Sequence, residues 1–136
     1  MRTFQEDYEF GIEGEMIVKG ALDCLFGESK KLGPTHTMDL EGEHYFSEIK
    51  RRTNKKDQYP TTIIPEHKIR FAEEANKAVY FVFMFTDAIE YIKYDKEKFS
   101  EFFIEKGFCR RWRRANDKPT AHYHIPIEEL KPLVVD

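Results

Sequence analysis

The stretch Tyr45-Phe-Ser-Glu-Ile-Lys-Arg-Arg52 combines a strand-like pattern with charged side chains at alternate positions. Side chains of a β-strand alternate between its two faces, so Glu48 and Lys50 share one face while Ile49 points the opposite way. The apolar Ile49 is suited to packing in a hydrophobic core, whereas the acid and the amine on the other face are suited to binding or catalysis. The stretch therefore predicts a strand that separates packing from function.

The Glu-x-Lys spacing alone is a weak signal, because the chain contains 17 Glu and 14 Lys and shows this spacing four times. Only Glu48-Ile-Lys50 lies in a strand-like pattern, and it follows Asp39 across a predicted hairpin with Glu41-Gly-Glu43 as the turn. Carboxylates bind hard divalent cations such as Mg²⁺ or Mn²⁺, and a lysine balances charge on a phosphoryl group. These residues predict metal-dependent cleavage of a phosphodiester; a solvated hairpin with alternating charges is the alternative.

A third carboxylate lies in a predicted helix that spans residues 11–26. Its apolar residues recur at helical spacing and form one arc, which comprises Val18, Ala21, Leu22, Leu25 and Phe26. Glu15 falls on this arc, whereas Glu13 falls on the far side. A charge on a packing face needs a partner, and a metal ion is one. The alternative is an acid in the first helical turn, where the helix dipole favours it.

The sequence places the helix glutamate Glu15 first, then Asp39, and then Glu48-x-Lys50. This order of residues resembles that of the PD-(D/E)xK nuclease superfamily. Within it, the Holliday-junction resolvases and the phage junction endonucleases are the most similar, and the resemblance covers residues 11–94 with Met38 in the place of the proline. It implies an α/β fold with a mixed central sheet flanked by helices, built on a restriction-endonuclease-like αβββαβ core.

The resemblance also implies the roles of the residues. Asp39, Glu48 and Glu15 bind Mg²⁺ or Mn²⁺, and Lys50 assists the attacking nucleophile. The implied activity is divalent-metal-dependent endonucleolytic hydrolysis of DNA, on branched or junction DNA in the most similar families. Because such DNA has pseudo-symmetric arms, a homodimer is the expected form.

Two basic segments are candidates for contacting DNA phosphates, and Trp112 in the second one is a candidate for stacking. The first comprises Arg51, Arg52, Lys55 and Lys56, and the second comprises Arg110, Arg111, Trp112, Arg113 and Arg114. Lys68, in a helix predicted from Pro65 to Lys77, is a further candidate for the scissile phosphate. The alternatives are solvated strand edges for the two segments and a snorkelling side chain for Lys68.

The remaining pattern predicts secondary structure only. Val79–Phe85 is a continuous apolar run typical of a central strand, and it forms a hairpin with Ile89–Tyr94. Asp95 is predicted to cap a helix that continues to Lys106. A last hairpin is predicted from residues 108–114 and 121–125. His122 and His124 would share one face of it, and a polar strand surface explains them better than a zinc site.

Length and composition are consistent with one intracellular domain. The 136 residues, 16.3 kDa, suffice for one core, and the net charge of -3 argues against a protein that merely coats nucleic acid. The sequence has no long apolar run and no signal-peptide pattern, which predicts a cytoplasmic protein without a membrane segment. Two other functions remain open, a catalytically inactive nuclease fold that binds nucleic acid or protein, and an interaction domain rich in aromatic residues.

Overall fold

A computed structural model describes residues 4–108 and 120–134. Its helices are α1 (Phe4–Phe26), α2 (Glu66–Glu74) and α3 (Lys96–Ser100). The large sheet contains β1 (Ser29–Lys31), β2 (Leu40–Gly42), β3 (Tyr45–Arg51), β5 (Ala78–Met84), β6 (Ile89–Lys93) and β9 (Lys131–Pro132). The small sheet contains β4 (Thr61–Pro65), β7 (Phe103–Phe108) and β8 (Thr120–Pro126). The predicted α/β class, with a mixed sheet flanked by helices, is confirmed.

The large sheet has the strand order β1-β2-β3-β5-β6-β9. Strands β1, β2 and β3 form an antiparallel meander, β3 and β5 are parallel, and β6 and β9 continue antiparallel. Parallel neighbours need a crossover, and here it consists of β4 and α2. The crossover therefore brings α2 and the small sheet, ordered β4-β8-β7, next to β3.

Two apolar cores cover the two faces of the large sheet. On one face, Val18 and Leu22 of α1 pack with Ile49 and Val82. A Cβ at Gly14 would overlap the terminal methyl of Met84, so a larger residue there would require that flexible side chain to move. The other core contains Phe46, Phe81, Phe83, Ile69, Ile64 and Ile125, from the sheet, α2 and the small sheet. The period of two along β3 thus places Glu48 and Lys50 on the face covered by α2 and the small sheet.

Several predicted boundaries are wrong. Helix α1 begins at Phe4, so Glu15 is not in a first helical turn and the dipole explanation for it fails. Leu25, predicted to be inward, is 53% exposed. Helix α2 ends at Glu74, because Ala75 is already extended. Asp95 does cap α3, but this helix ends at Ser100.

The sequence predicts only part of the small sheet. No strand is predicted between Arg52 and Pro65, yet Thr61-Thr-Ile-Ile is rich in β-branched residues and opens β4. Phe103 falls within the helix predicted to continue to Lys106; instead it opens β7 and is 66% exposed. The described residues contain no helix that is long and apolar enough to cross a membrane.

Candidate active site

Asp39 and Glu48 are brought side by side by the pairing of β2 with β3. Leu40 lies opposite Ser47 and Glu41 opposite Phe46, so the same register places Asp39 opposite Glu48. The Asp39 amide donates to the Ser47 carbonyl at 3.0 Å, which extends the pairing to this position. Cross-strand neighbours share one face of a sheet. Two carboxylates therefore meet on the face covered by α2.

The Asp39 carboxylate is also fixed in orientation. Its Oδ2 accepts a hydrogen bond from the Ile49 amide at 2.7 Å. Its own carbonyl accepts from the Leu32 amide at 2.8 Å, which ties it to the end of β1. One aspartate thus holds the connection between β1 and β2 against β3 and still directs a carboxylate towards Glu48.

Glu48 is buried, with 4% of its surface exposed, and two ammonium groups contact it. Lys50 Nζ lies 3.4 Å from Oε1 and Lys68 Nζ lies 3.0 Å from Oε2. Burial raises the pKa of Glu48 and the Asp39 charge raises it further, while Lys50 and Lys68 oppose the rise. The Glu48 carboxylate is thus buried beside a second acid, and two lysines stabilise its charge.

Lys68 is not a snorkelling lysine. Its ammonium contacts Glu48 and also donates to the carbonyl of Thr37, in the segment that leads to Asp39. The preceding residue, His67, has a lowered pKa because of burial and because of the positive charges of Lys68 and Lys50. The start of α2 therefore places the Lys68 ammonium and the His67 imidazole beside Lys50, close to the two strand carboxylates.

The structure does not bring Glu15 to Asp39 and Glu48. Its carboxylate lies 3.8 Å from Lys31 Nζ. Lys31 pairs with Leu40, which belongs to the core on the α1 face. Among residues 4–108 and 120–134, no three His, Cys, Asp or Glu side chains form a group that holds a metal. The acids that the sheet brings together are the two strand carboxylates of Asp39 and Glu48, and carboxylate oxygens are ligands that hard divalent cations prefer.

The side chains of the first basic segment differ in their exposure. Arg51 and Lys55 are exposed. Arg52 instead donates to Thr62 Oγ1 and to the Ile63 carbonyl, and Lys56 Nζ lies 2.5 Å from Glu90 Oε1. Arg52 and Lys56, which are both predicted DNA contacts, therefore also hold the fold together. The second segment, with Arg110, Arg111, Trp112, Arg113 and Arg114, lies outside the described residues.

Sequence reasoning missed Glu90, a buried acid in β6 with 2% of its surface exposed. It lies opposite Phe83, which in turn lies opposite Lys50, so it shares the face of Glu48. The only signal in the sequence is an acid inside the apolar alternation Ile89-Glu-Tyr-Ile. Its partner Lys56 lies 34 positions earlier in the chain, beyond the reach of local patterns.

The chain was compared with protein-family models, with curated proteins and with solved structures, and none of the three comparisons found a match. The arrangement of residues therefore carries the functional argument. It offers two carboxylates on adjacent strands and two lysines in contact with one of them.

Proposed function

We propose that the protein is a divalent-metal-dependent endonuclease that hydrolyses DNA phosphodiester bonds. The observation that carries this proposal is the juxtaposition of Asp39 and Glu48 on one sheet face, with Lys50 and Lys68 against Glu48. The order α1, β1, β2, β3, α2, β5 supports it, since it agrees with the αβββαβ order that the resemblance implies, with β4 inserted.

Each residue has a distinct role in this proposal. Asp39 and Glu48 hold Mg²⁺ or Mn²⁺, which when bound supplies Lewis-acid activation of water and of the phosphoryl oxygens. Asp39 is oriented for this by the Ile49 amide. Lys50, on the same face as Glu48, balances the charge that develops on the phosphoryl group and helps to deprotonate the attacking water. Lys68 positions Glu48, and its ammonium would be available to a substrate phosphate if a cation took over the charge of that carboxylate.

Glu15 has no role as a metal ligand in this arrangement, because it is paired with Lys31 on the α1 side of the sheet. Its replacement by Gln is expected to leave cleavage at the wild-type rate. The exposed Arg51 and Lys55 continue from the strand that carries Glu48, and we place the DNA backbone along them.

A cleavage assay tests the proposal. Branched, nicked, single-stranded and linear DNA are incubated with the full chain and Mg²⁺ or Mn²⁺, and Mn²⁺ binding is measured by calorimetry in parallel. We expect metal-dependent cleavage of at least one substrate, and loss of both cleavage and Mn²⁺ binding in Glu48→Gln. Cleavage that persists in Glu48→Gln would overturn the assignment of the site.

A second candidate function is a nucleic-acid-binding module without cleavage. The observation that favours it is the neutralisation of Glu48 by two lysines, which satisfies the buried carboxylate without an ion. The same experiment separates the two functions. DNA binding with neither Mn²⁺ binding nor cleavage would favour the binding module.

A further inference from the structure

A groove of about 440 Å³ opens between the end of β3 and the free edge of β4. We call it the Arg52 groove. Its polar lining consists of Arg52, Asn54, Tyr59, Thr61, Thr62 and His124, and Pro60 and Ile63 complete it. These eight described residues include a guanidinium, an imidazole, hydroxyls and an amide, but no carboxylate. The groove is thus rich in hydrogen-bond donors and carries positive charge.

Arg52 is held rigidly at the base of this groove. Its Nε donates to Thr62 Oγ1 at 3.1 Å, its Nη2 donates to the Ile63 carbonyl at 2.5 Å, and its guanidinium lies 5.6 Å from the centroid of the Phe83 ring. These contacts use two of the five N–H groups of an arginine. None of these partners is an acid, so they leave its positive charge uncompensated. A half-buried, pre-oriented guanidinium binds an oxyanion at a low entropic cost.

The opposite wall is also fixed. His124 Nε2 lies 2.8 Å from Glu105 Oε1, and its Nδ1 lies 2.9 Å from Thr61 Oγ1, so the ring is held at both nitrogens. At the rim, Tyr59 is 55% exposed, and its hydroxyl accepts from the Gln58 side chain at 3.3 Å, which leaves the O–H proton to a ligand. Asn54 uses one amide N–H on the Lys55 carbonyl and retains a second.

The position of the groove relates it to the candidate active site. The amide of Arg52 donates to the Met84 carbonyl at 2.9 Å, so the strand geometry of β3 continues to Arg52. Glu48, Lys50 and Arg52 then lie on the same face at alternate positions, with about 6.6 Å between successive members. This spacing is about two nucleotide steps along a DNA axis, at roughly 3.4 Å per step.

From this geometry we propose that the Arg52 groove binds a phosphate group of the nucleic-acid strand, a few nucleotides at most from the bond held at Asp39 and Glu48. The assignment of this phosphate to a nucleic acid rests on the proposed function. The assignment of a phosphate to the groove rests only on the hydrogen-bond donors of the groove. Two sources share this chemistry, an internal phosphodiester and a terminal phosphate.

The test uses the full chain in EDTA, so that the Asp39 and Glu48 site takes no part. Inorganic phosphate, the dinucleotide dTpdT and its 5′-phosphorylated form pdTpdT are titrated separately, and NMR shifts of the Thr61 and Thr62 amides, the Asn54 side-chain amide and the His124 imidazole are followed. We expect saturable shifts at these groups. Equal affinity for dTpdT and pdTpdT identifies an internal phosphodiester, and preference for pdTpdT and phosphate identifies a terminal one.

Variants make the test specific. Arg52→Gln is expected to weaken binding by at least about tenfold, because it removes a charged donor. Since Arg52 also anchors β4, Tyr59→Phe serves as a variant that keeps the fold, with an expected loss of roughly threefold. Tyr91→Phe, on the α1 face of the sheet, is the matched control and should bind like the wild type.

Two results would overturn the inference. One is a set of unsaturable shifts spread over surface lysines. The other is an affinity that neither Arg52→Gln nor Tyr59→Phe changes. The proposed function fails separately: saturable phosphate binding in the groove of a protein that cleaves no DNA with Mg²⁺ or Mn²⁺ would overturn the nuclease and leave the phosphate site standing.

Discussion

Glu48 and Glu90 are two buried glutamates on the same face of the large sheet, and they have different surroundings. Glu90 is paired with Lys56 at 2.5 Å, and hydrogen bonding to Glu90 raises the pKa of that lysine. Glu48 has two lysines, but it also lies opposite Asp39, and its own pKa is raised by burial and by that neighbouring charge. The formal charges cancel in both groups, but only the second group places an acid beside an acid.

This difference separates a structural ion pair from a candidate functional site. Glu90 and Lys56 connect β6 to the 3-10 turn after β3, and their charges cancel. Two neighbouring carboxylates repel each other, and acids perturbed in this way are frequent at sites that bind an ion or a ligand. Asp39 and Glu48 meet this description, and the cleavage mechanism proposed above uses the repulsion as affinity for a cation.

The largest contrast is expected between Glu48→Gln and Glu90→Gln. Glu48→Gln should lower the rate of Mg²⁺-dependent cleavage by roughly a hundred- to a thousandfold, because an amide is a poor substitute for a charged ligand. Glu90→Gln should keep the wild-type rate and lower the Tm by a few degrees, since Lys56 loses its charged partner. Rates come from gel assays and Tm from calorimetry. A Glu90→Gln variant that melts normally but does not cleave would erase the distinction.

Two replacements of Asp39 separate its charge from its hydrogen bond. Asp39→Asn and Asp39→Ala should both lose cleavage. Only Asp39→Ala should lose stability, by about 1 to 3 kcal/mol, because it leaves the Ile49 amide without its acceptor. Urea denaturation measures the difference in the free energy of unfolding. Equal stability of the two variants would show that this hydrogen bond does not orient the site.

The pH dependence offers a finer test. Lys68 lowers the pKa of Glu48, so Lys68→Met should raise that pKa further above the usual value of 4.5. Glu48 must be ionised to bind a cation, so the acid limb of the pH profile for kcat/KM should move to higher pH. Lys56→Met, which changes the partner of Glu90, should leave that limb in place. A carbon-13 NMR titration of the Glu48 carboxyl checks the direction without activity; an unchanged titration in Lys68→Met would contradict the contact.

The smallest effect concerns two adjacent lysines. Lys55 is exposed, whereas Lys56 is engaged with Glu90. In a cleavage-inactive background, Lys55→Ala should reduce the slope of log affinity for DNA against log salt by about one, and Lys56→Ala should leave it unchanged. Fluorescence anisotropy at several salt concentrations provides the slopes. The reverse result would place Lys56 on the DNA and Lys55 away from it.

The positions of much of the site can be predicted from the sequence, because the residues that indicate them are close together in the chain. The alternation of Glu48, Ile49 and Lys50 fixes their faces, and a short hairpin sets Asp39 against Glu48. The strand at Val79–Phe85 and the helix cap at Asp95 can be predicted for the same reason. Nucleic-acid binding by the exposed side chains stays a prediction, as does the metal.

The rest depends on contacts between distant parts of the chain. A helical wheel places Glu15 on a packing face but cannot say which face of the sheet that helix covers, and α1 covers the face opposite to Glu48. Likewise, the roles of Arg52 and Lys56 depend on β4 and on Glu90, and basic composition alone does not distinguish them from Lys55. Strand β4 itself was hidden, because its partner β8 is far along the chain.

The pairing of β4 with β8 affects the order in which the molecule is completed during synthesis. Thr61 meets His124 across 63 residues, so β4 leaves the ribosome long before its partner strand. Helix α2 packs on both strands, and pairings of such long range form late in folding. A nascent chain therefore displays Asp39 and Glu48 before α2 has both of the strands that fix Lys68 beside them.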